Sequence, residues 1–365
     1  MNIFKSYKKL AIIAVILIIS SIGLYHSFNQ NSQTNKLSNG LNDFETGNRF
    51  LMDTLVQMKV YGTNAQTIIN KSFSRLEEIE KLMSKTITNS DISKINNNPG
   101  QAVTVNQDTF YVIKQAVKYA EISQGKFDFS IGSLVDLWGF GTSNQQVPTA
   151  KELKQARSNI NYKSIKLNKN HQTVTITKPG IKLDLGGITK GYAADEVKKI
   201  VKNNSQNPNE FINMGGNVLG IGNKPDGSPW NIGIQDPRKH RGNVMASVKV
   251  TDKTIVTSGN YERYFEKNGT LYHHILNPDT GKPVRNKLRS VSIITDNSLK
   301  GDALSTSIFI FGVNKGLKFV EEQDNIEAIF ITKDLKVILT SGLKNKVKLL
   351  NSDFKLVEGD DFENY

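Results

Sequence analysis

Phe211-Ile212-Asn213-Met214, Val218-Leu219-Gly220-Ile221 and Trp230-Asn231-Ile232-Gly233-Ile234 follow one another with no helical spacing between them. Gly215-Gly216 breaks the first run and Asp236-Pro237 closes the last. Val248 with Val250, and Ile255 with Val256, add two more strands before Thr257-Ser258-Gly259. Short apolar runs bounded by glycine and turn residues read as strands. Several in succession, without crossover helices, favour an α+β fold with mixed or antiparallel sheets and flanking helices over a doubly wound parallel sheet.

The chain N-terminal to this block has the same grammar. Ile165 and Leu167 match Val174 and Ile176 across a polar turn, and Ile181, Leu183 and Leu185 continue the alternation as a third strand. Leu185-Gly186-Gly187 then opens a helix through Lys190, Tyr192, Val197 and Val201. A strand, two glycines and a helix N-terminus form a seat for a phosphate, because unpaired N–H groups and the helix dipole face it. Asp184 and Lys190 are the polar groups placed to meet a ligand there, although an ordinary surface ion pair has the same pattern. Further back, Thr54, Val56, Met58 and Val60 alternate as a strand, and Ile69, Phe73, Leu76, Ile79 and Met83 share one helical stripe. Lys85 to Gln107 lacks strong periodicity, and Phe110, Ile113, Val117 and Ala120 mark a second helix. Gly125 to Ser130 and Leu137 to Gly141 are dense in glycine and aromatics, the composition of a loop held close to something flat.

On the C-terminal side, Val291, Ile293 and Thr295 alternate in a strand, and Leu304, Ile308 and Phe311 recur at helical spacing before Gly312. At their junction stands Gly301-Asp302-Ala303-Leu304-Ser305-Thr306. Asp302 and Thr306 are one helical turn apart on one face. A carboxylate and a hydroxyl so placed make an oxygen-only corner that suits Mg²⁺; a capping Asp with a Thr bonded back to the helix has the same spacing. Just upstream, Asn277-Pro278-Asp279-Thr280-Gly281 is turn chemistry that would hold His274 rigidly after a short strand, as a general base requires. Ala328 to Ile331 and Val337 to Leu339 read as a hairpin.

The chain has 365 residues and a formal charge of +13, carried by Lys spread along its length without blocks of like charge. No nucleic-acid motif accompanies that charge, so no nucleic-acid partner is expected, and a cationic surface favourable to anionic ligands accounts for it. Cys is absent, which excludes disulfides, thiolate-bound metals and lipidation at a Cys. Lys5, Lys8 and Lys9 precede an uncharged apolar run from Leu10 to Tyr25, the pattern of an N-terminal signal-anchor over residues 1–30. A polar linker over 31–48, a catalytic domain over 49–350 and a tail over 351–365 complete the expected organisation. The working domain is then expected at the cell membrane, on its extracytoplasmic side.

Taken together, Met52-Asp53-Thr54, Gly125 to Ser130, Leu137 to Gly141, Leu183 to Asp195, Asn213 to Asn217, Thr257 to Tyr264, His274 to Pro283 and Asp302 to Thr306 resemble the ApbE family, the FAD:protein FMN transferases. The resemblance covers nearly all of residues 49 to 345. It implies an Mg²⁺-dependent enzyme that cleaves FAD at its pyrophosphate and joins FMN to a Thr or Ser hydroxyl of an acceptor protein, with AMP leaving. The acceptor would be an FMN-binding domain of an exported or membrane electron-transfer flavoprotein. Carried onto this chain, Asp302, Thr306 and the Gly187 carbonyl would bind the metal. Met52, Lys126, Phe127, Asp128, Asp184, Lys190 and Leu276 would line the FAD site, with His274 as base and Asp302 as the second catalytic residue. Where many members have a flavin-stacking Tyr, this chain has Lys85-Thr86, which leaves Tyr61, Phe127 or Phe140 to stack. Asp53 stands where members often have Gly, and Asn277 where many have Asp. FAD hydrolysis to FMN and AMP in the same site, and non-catalytic FAD binding at the cell surface, are the alternatives.

Overall fold

Along Leu288–Thr295 nearly every side chain is buried, serines included, because the sheet it joins is covered on both faces. The computed structural model describes residues 43–357. Nine strands, numbered in chain order, make that sheet: β1 (Phe44–Leu51), β2 (Thr54–Tyr61), β3 (Glu210–Met214), β4 (Asn217–Ile221), β5 (Lys253–Gly259), β6 (Leu288–Thr295), β7 (Ile326–Thr332), β8 (Lys336–Leu339) and β9 (Lys355–Val357). Their spatial order is their order in the chain. Every neighbouring pair is antiparallel except β8 with β9, so the sheet is mixed, as the strand-rich middle predicts.

The helices are α1 (Ala65–Met83), α2 (Asp91–Asn97), α3 (Gln107–Ile122), α4 (Gly132–Trp138), α5 (Ala150–Arg157), α6 (Thr189–Asn204), α7 (Ser298–Phe311) and α8 (Val313–Glu321). Alternation along the strands divides the core in two. Val56, Met58, Ile212, Ile293 and Phe330 face the helices and pack with Phe73, Leu76, Val197 and Ile308. Ile255, Ile294, Ile329 and Val337 face the other way, onto a smaller sheet formed by Trp230–Gln235, Val244–Val250 and Val347–Leu349. A third cluster gathers Leu134 and Trp138 of α4, Leu153 of α5, Phe265 and Leu276.

Several elements differ from the sequence reading. Ordered strands extend outside the 49–350 range on both sides, as β1 and β9. Strand β1 carries mostly exposed residues, so it has no apolar alternation to read. The unpatterned stretch from Lys85 to Gln107 contains α2, started by Ser90 accepting from the Ser93 N–H, and the aromatic loop contains α4; seven residues are too few to establish a period. Residues 181–185 form no strand and make a single parallel bridge, Lys182 to Ile131. The expected anchor over residues 1–30 lies outside the described residues. Among the described residues no helix is long and apolar enough to cross a membrane.

Glu210 opens β3 fully buried, and among the described residues neither carboxyl oxygen has a well-formed hydrogen bond, the Asn209 N–H being its nearest donor. Burial pushes its pKa from 4.5 up to about 8. The folded chain therefore keeps a proton that the unfolded chain has released. Stability from this group is fully present below the unfolded value and falls as pH rises towards 8, by up to about 1.4 kcal/mol per pH unit. The melting temperature should decline between pH 6.5 and 8, and Glu210→Gln should flatten that decline. An equal slope in the variant would clear Glu210 as its source.

Candidate active site

Helices α6 and α7 meet where Gly191 leaves room. A β-carbon on Gly191 would lie 2.4 Å from the Ser298 carbonyl oxygen and 2.7 Å from the Asp302 β-carbon. The Gly191 N–H donates to Asp302 Oδ2 at 2.9 Å. One turn further along α6, Asp195 accepts from the N–H groups of Ser298 at 2.8 Å and Leu299 at 2.9 Å, satisfying donors that the first turn of α7 leaves open. Burial pushes the Asp195 carboxyl up to about 6, against the pull of those two N–H groups. The cap of α7 itself is Asn297, whose side chain accepts from the Lys300 N–H at 2.7 Å. Asp302 is therefore not a capping residue. It is tied to the neighbouring helix through one oxygen.

Beside this junction lies a cavity of about 460 Å³ lined by Gly187, Asp302, Thr306 and His274, among others. A β-carbon on Gly187 would be 3.9 Å from Thr306 Oγ1 and 3.3 Å from the Phe127 ring, so the glycine backbone runs past both. Gly187, Asp302 and Thr306 thus border the same cavity. Asp302 Oδ1 takes no hydrogen bond among the described residues, and Thr306 Oγ1 has only a 3.5 Å contact with Ser258. No group of three or more His, Cys, Asp or Glu is placed to hold a metal among the described residues. One carboxylate, one hydroxyl and one carbonyl fit a hard cation that keeps most of its water, which is the habit of Mg²⁺.

His274 follows the hairpin of Tyr264–Lys267 and Thr270–His273. The turn after it is pinned: Gly281 N–H donates to the Asn277 carbonyl at 2.8 Å, and Trp138 Nε1 donates to the Gly281 carbonyl at 2.8 Å. His274 Nδ1 is 3.2 Å from the Arg263 carbonyl. A carbonyl only accepts, so Nδ1 carries the proton and Nε2 is left as the basic nitrogen. Enclosure in the cavity wall, then the Arg263 charge, push the imidazole down to about 3. It is neutral at physiological pH.

The other predicted residues divide. Lys126, Phe127, Asp128, Asp184, Lys190 and Leu276 all line the cavity. Lys126 pairs with Asp279. Asp128 uses one oxygen inside its own loop, accepting from the Ser130 N–H at 2.8 Å, and the other on the Tyr162 N–H after α5, at 3.3 Å. Asp184 and Lys190 do not pair with each other. Asp184 binds Lys85 at 2.9 Å and the Gly186 N–H at 2.8 Å, and Lys190 donates to the Gly186 carbonyl at 2.8 Å. Met52 does not line the cavity. Its side chain packs on the core and its N–H bonds Glu80, while Phe50, Asp53 and Leu55 from the same turn reach the rim. Of the stacking candidates, Phe127 and Phe140 line the cavity; Tyr61 packs against Trp230 elsewhere, and Thr86 bonds Ser84. The sequence reading did not assign Ser258, Arg241, Glu262 or Arg263 to the site, although Thr257 to Tyr264, quoted for its likeness, holds three of them.

Residues 52–330 match the model of the ApbE family. The chain belongs to that family. A FAD:protein FMN transferase of Klebsiella pneumoniae is 32% identical over 84% of this chain and 95% of its own length. That of Treponema pallidum is 30% identical over 84% and 89%. Among solved structures, an ApbE protein of Thermotoga maritima superposes with a TM-score of 0.78 at 32% identity, over 83% of this chain and 99% of the other. The flavin transferase ApbE of Vibrio cholerae gives 0.75 at 26% identity, with the same coverage.

Gly191→Ala should force α6 from α7 and cost about 1–3 kcal/mol, the usual scale of overpacking. A lowered melting temperature, read by circular dichroism, checks this. A variant as stable as the parent would mean the two helices do not meet as described.

Proposed function

We propose that this ApbE-family enzyme transfers the FMN half of FAD to a Thr or Ser hydroxyl of an FMN-binding acceptor domain on an exported or membrane flavoprotein, in an Mg²⁺-dependent reaction. The carrying observation is the convergence of Gly187, Asp302 and Thr306 on the same cavity as a neutral His274. The relatives' printed activity and their coverage of this chain support the reading.

Asp302, Thr306 and the Gly187 carbonyl would hold the ion. Bound there, Mg²⁺ would offset the charge of the pyrophosphate. His274 Nε2, unprotonated at physiological pH, takes the proton of the acceptor hydroxyl as its oxygen bonds to the FMN phosphorus. The bond from that phosphorus to the bridging oxygen breaks, and AMP leaves with the electron pair. Lys190 and the N-terminus of α6 lie where anionic oxygens are favoured. Phe127 and Phe140 offer flat faces at the cavity wall. Lys5, Lys8, Lys9 and the apolar run after them support tethering at the cell membrane with the catalytic domain outside.

With FAD, Mg²⁺ and an FMN-binding acceptor domain, mass spectrometry should show the acceptor heavier by one FMN, and EDTA should abolish the gain. Unchanged acceptor with AMP released would make the enzyme a hydrolase; no AMP at all would make it a binding protein. Asp302→Asn should keep the bond from Gly191, remain folded, and lose transfer at least about 100-fold. Full activity in that variant across an Mg²⁺ titration would remove Asp302 from the metal site.

A further inference from the structure

Four cationic side chains line the cavity: Lys126, Lys190, Arg241 and Arg263. Three are committed. Lys126 pairs with Asp279, Lys190 donates to the Gly186 carbonyl at 2.8 Å, and Arg241 pairs with Glu262 at 2.6 Å. Arg263 is held loosely, by the Asp53 carbonyl at 3.3 Å and the Asp53 carboxylate at 3.9 Å. Both side chains are open to solvent, Arg263 by 48% and Asp53 by 81%, where such a pair contributes little to stability. Yet Arg263 sits beside the proposed base, since its carbonyl holds His274 Nδ1.

Asp53 is an unusual partner. With Met52 it forms the two-residue turn between β1 and β2, at φ 59 and 54. Positive φ at both positions favours Asn-Gly or Asp-Gly, with Gly second. Asp stands in that second place. Its side chain lines the same cavity, where the proposed dinucleotide would bring a dianionic pyrophosphate, and it borders the cation least engaged elsewhere.

We propose that the Arg263 guanidinium contacts a non-bridging oxygen of the phosphate being transferred, and that Asp53 competes with the dinucleotide for it. A planar guanidinium matches phosphate geometry, and a donor already in place where charge develops lowers the barrier without reorganisation. The proposal rests on the transferase reading above. It separates the two roles of Arg263: the main-chain carbonyl orients His274, and the side chain meets the substrate. Replacing the side chain leaves that main-chain bond intact, and Arg263→Lys also keeps the positive charge beside His274.

The test measures FAD affinity by flavin fluorescence and transfer kinetics by acceptor mass, for Arg263→Gln, Arg263→Lys and Asp53→Asn, each checked for fold by circular dichroism. Arg263→Gln should lower kcat at least about 100-fold while FAD affinity weakens less than about tenfold. Arg263→Lys should recover part of kcat. Asp53→Asn, which keeps a residue tolerant of positive φ, should bind FAD about three- to tenfold tighter at low salt, with the gain shrinking as salt screens it. Wild-type kcat in either folded Arg263 variant would overturn the contact, and unchanged or weaker FAD binding in Asp53→Asn would overturn the competition. If the wild-type protein itself moves no FMN, the transferase reading fails, and the Asp53→Asn affinity still decides the competition.

Discussion

The site depends on how closely α6 and α7 approach. At Gly191 the missing side chain lets the two helices approach closely, and the first-turn amide of Gly191 grips Asp302. Asp195, one turn on, grips the first amides of α7 in return. The two carboxylates thus cross between helices in opposite senses, one from each. Such reciprocal bonding fixes the rotation of α7 about its axis, and with it the direction of Thr306, better than apolar contact alone, which is non-directional.

Around this rigid junction the cavity draws on looser parts. His274, Arg263 and Asp53 all come from turns or hairpin ends. The division is a physical one: oxygen donors for a cation need fixed separations, whereas groups that meet a large acceptor must stand at an accessible rim. His274 combines both needs. Its ring is fixed by a main-chain bond, and its neutrality comes from the wall that encloses it and the adjacent positive charge.

The strand-rich middle of the chain was legible because β3 and β4 and the hairpin of β7 and β8 alternate in the pattern of a half-buried or buried surface. Helices α1, α3, α6 and α7 were legible from their stripes. Strand β1 was not, because its side chains face solvent and its place is set by main-chain bonding to β2. Helices α2 and α4 fell below the length at which a period can be read. In the site, Asp302, Thr306, Gly187 and His274 could be named from residue type and family likeness. Their convergence could not, because it depends on α6 crossing α7, a contact between residues 111 apart in the chain. Met52 went astray for a local reason: in a turn with positive φ, its side chain swings to the core while its neighbours take the rim.

The sheet's strands lie in chain order, yet one seam breaks that economy. β2 pairs with β3 across an insertion, residues 62–209, that contains α1 to α6. The other neighbouring strands are joined by much shorter segments. Closing a long loop carries an entropic cost that only later contacts recover. The half of the molecule from β5 to β8 with α7 is built from pieces near one another in sequence, whereas the seam has to close the longest loop. Since the cavity draws Asp53 and Leu55 from one side of that seam and Asp302 and His274 from the other, the binding pocket exists only while the seam is closed.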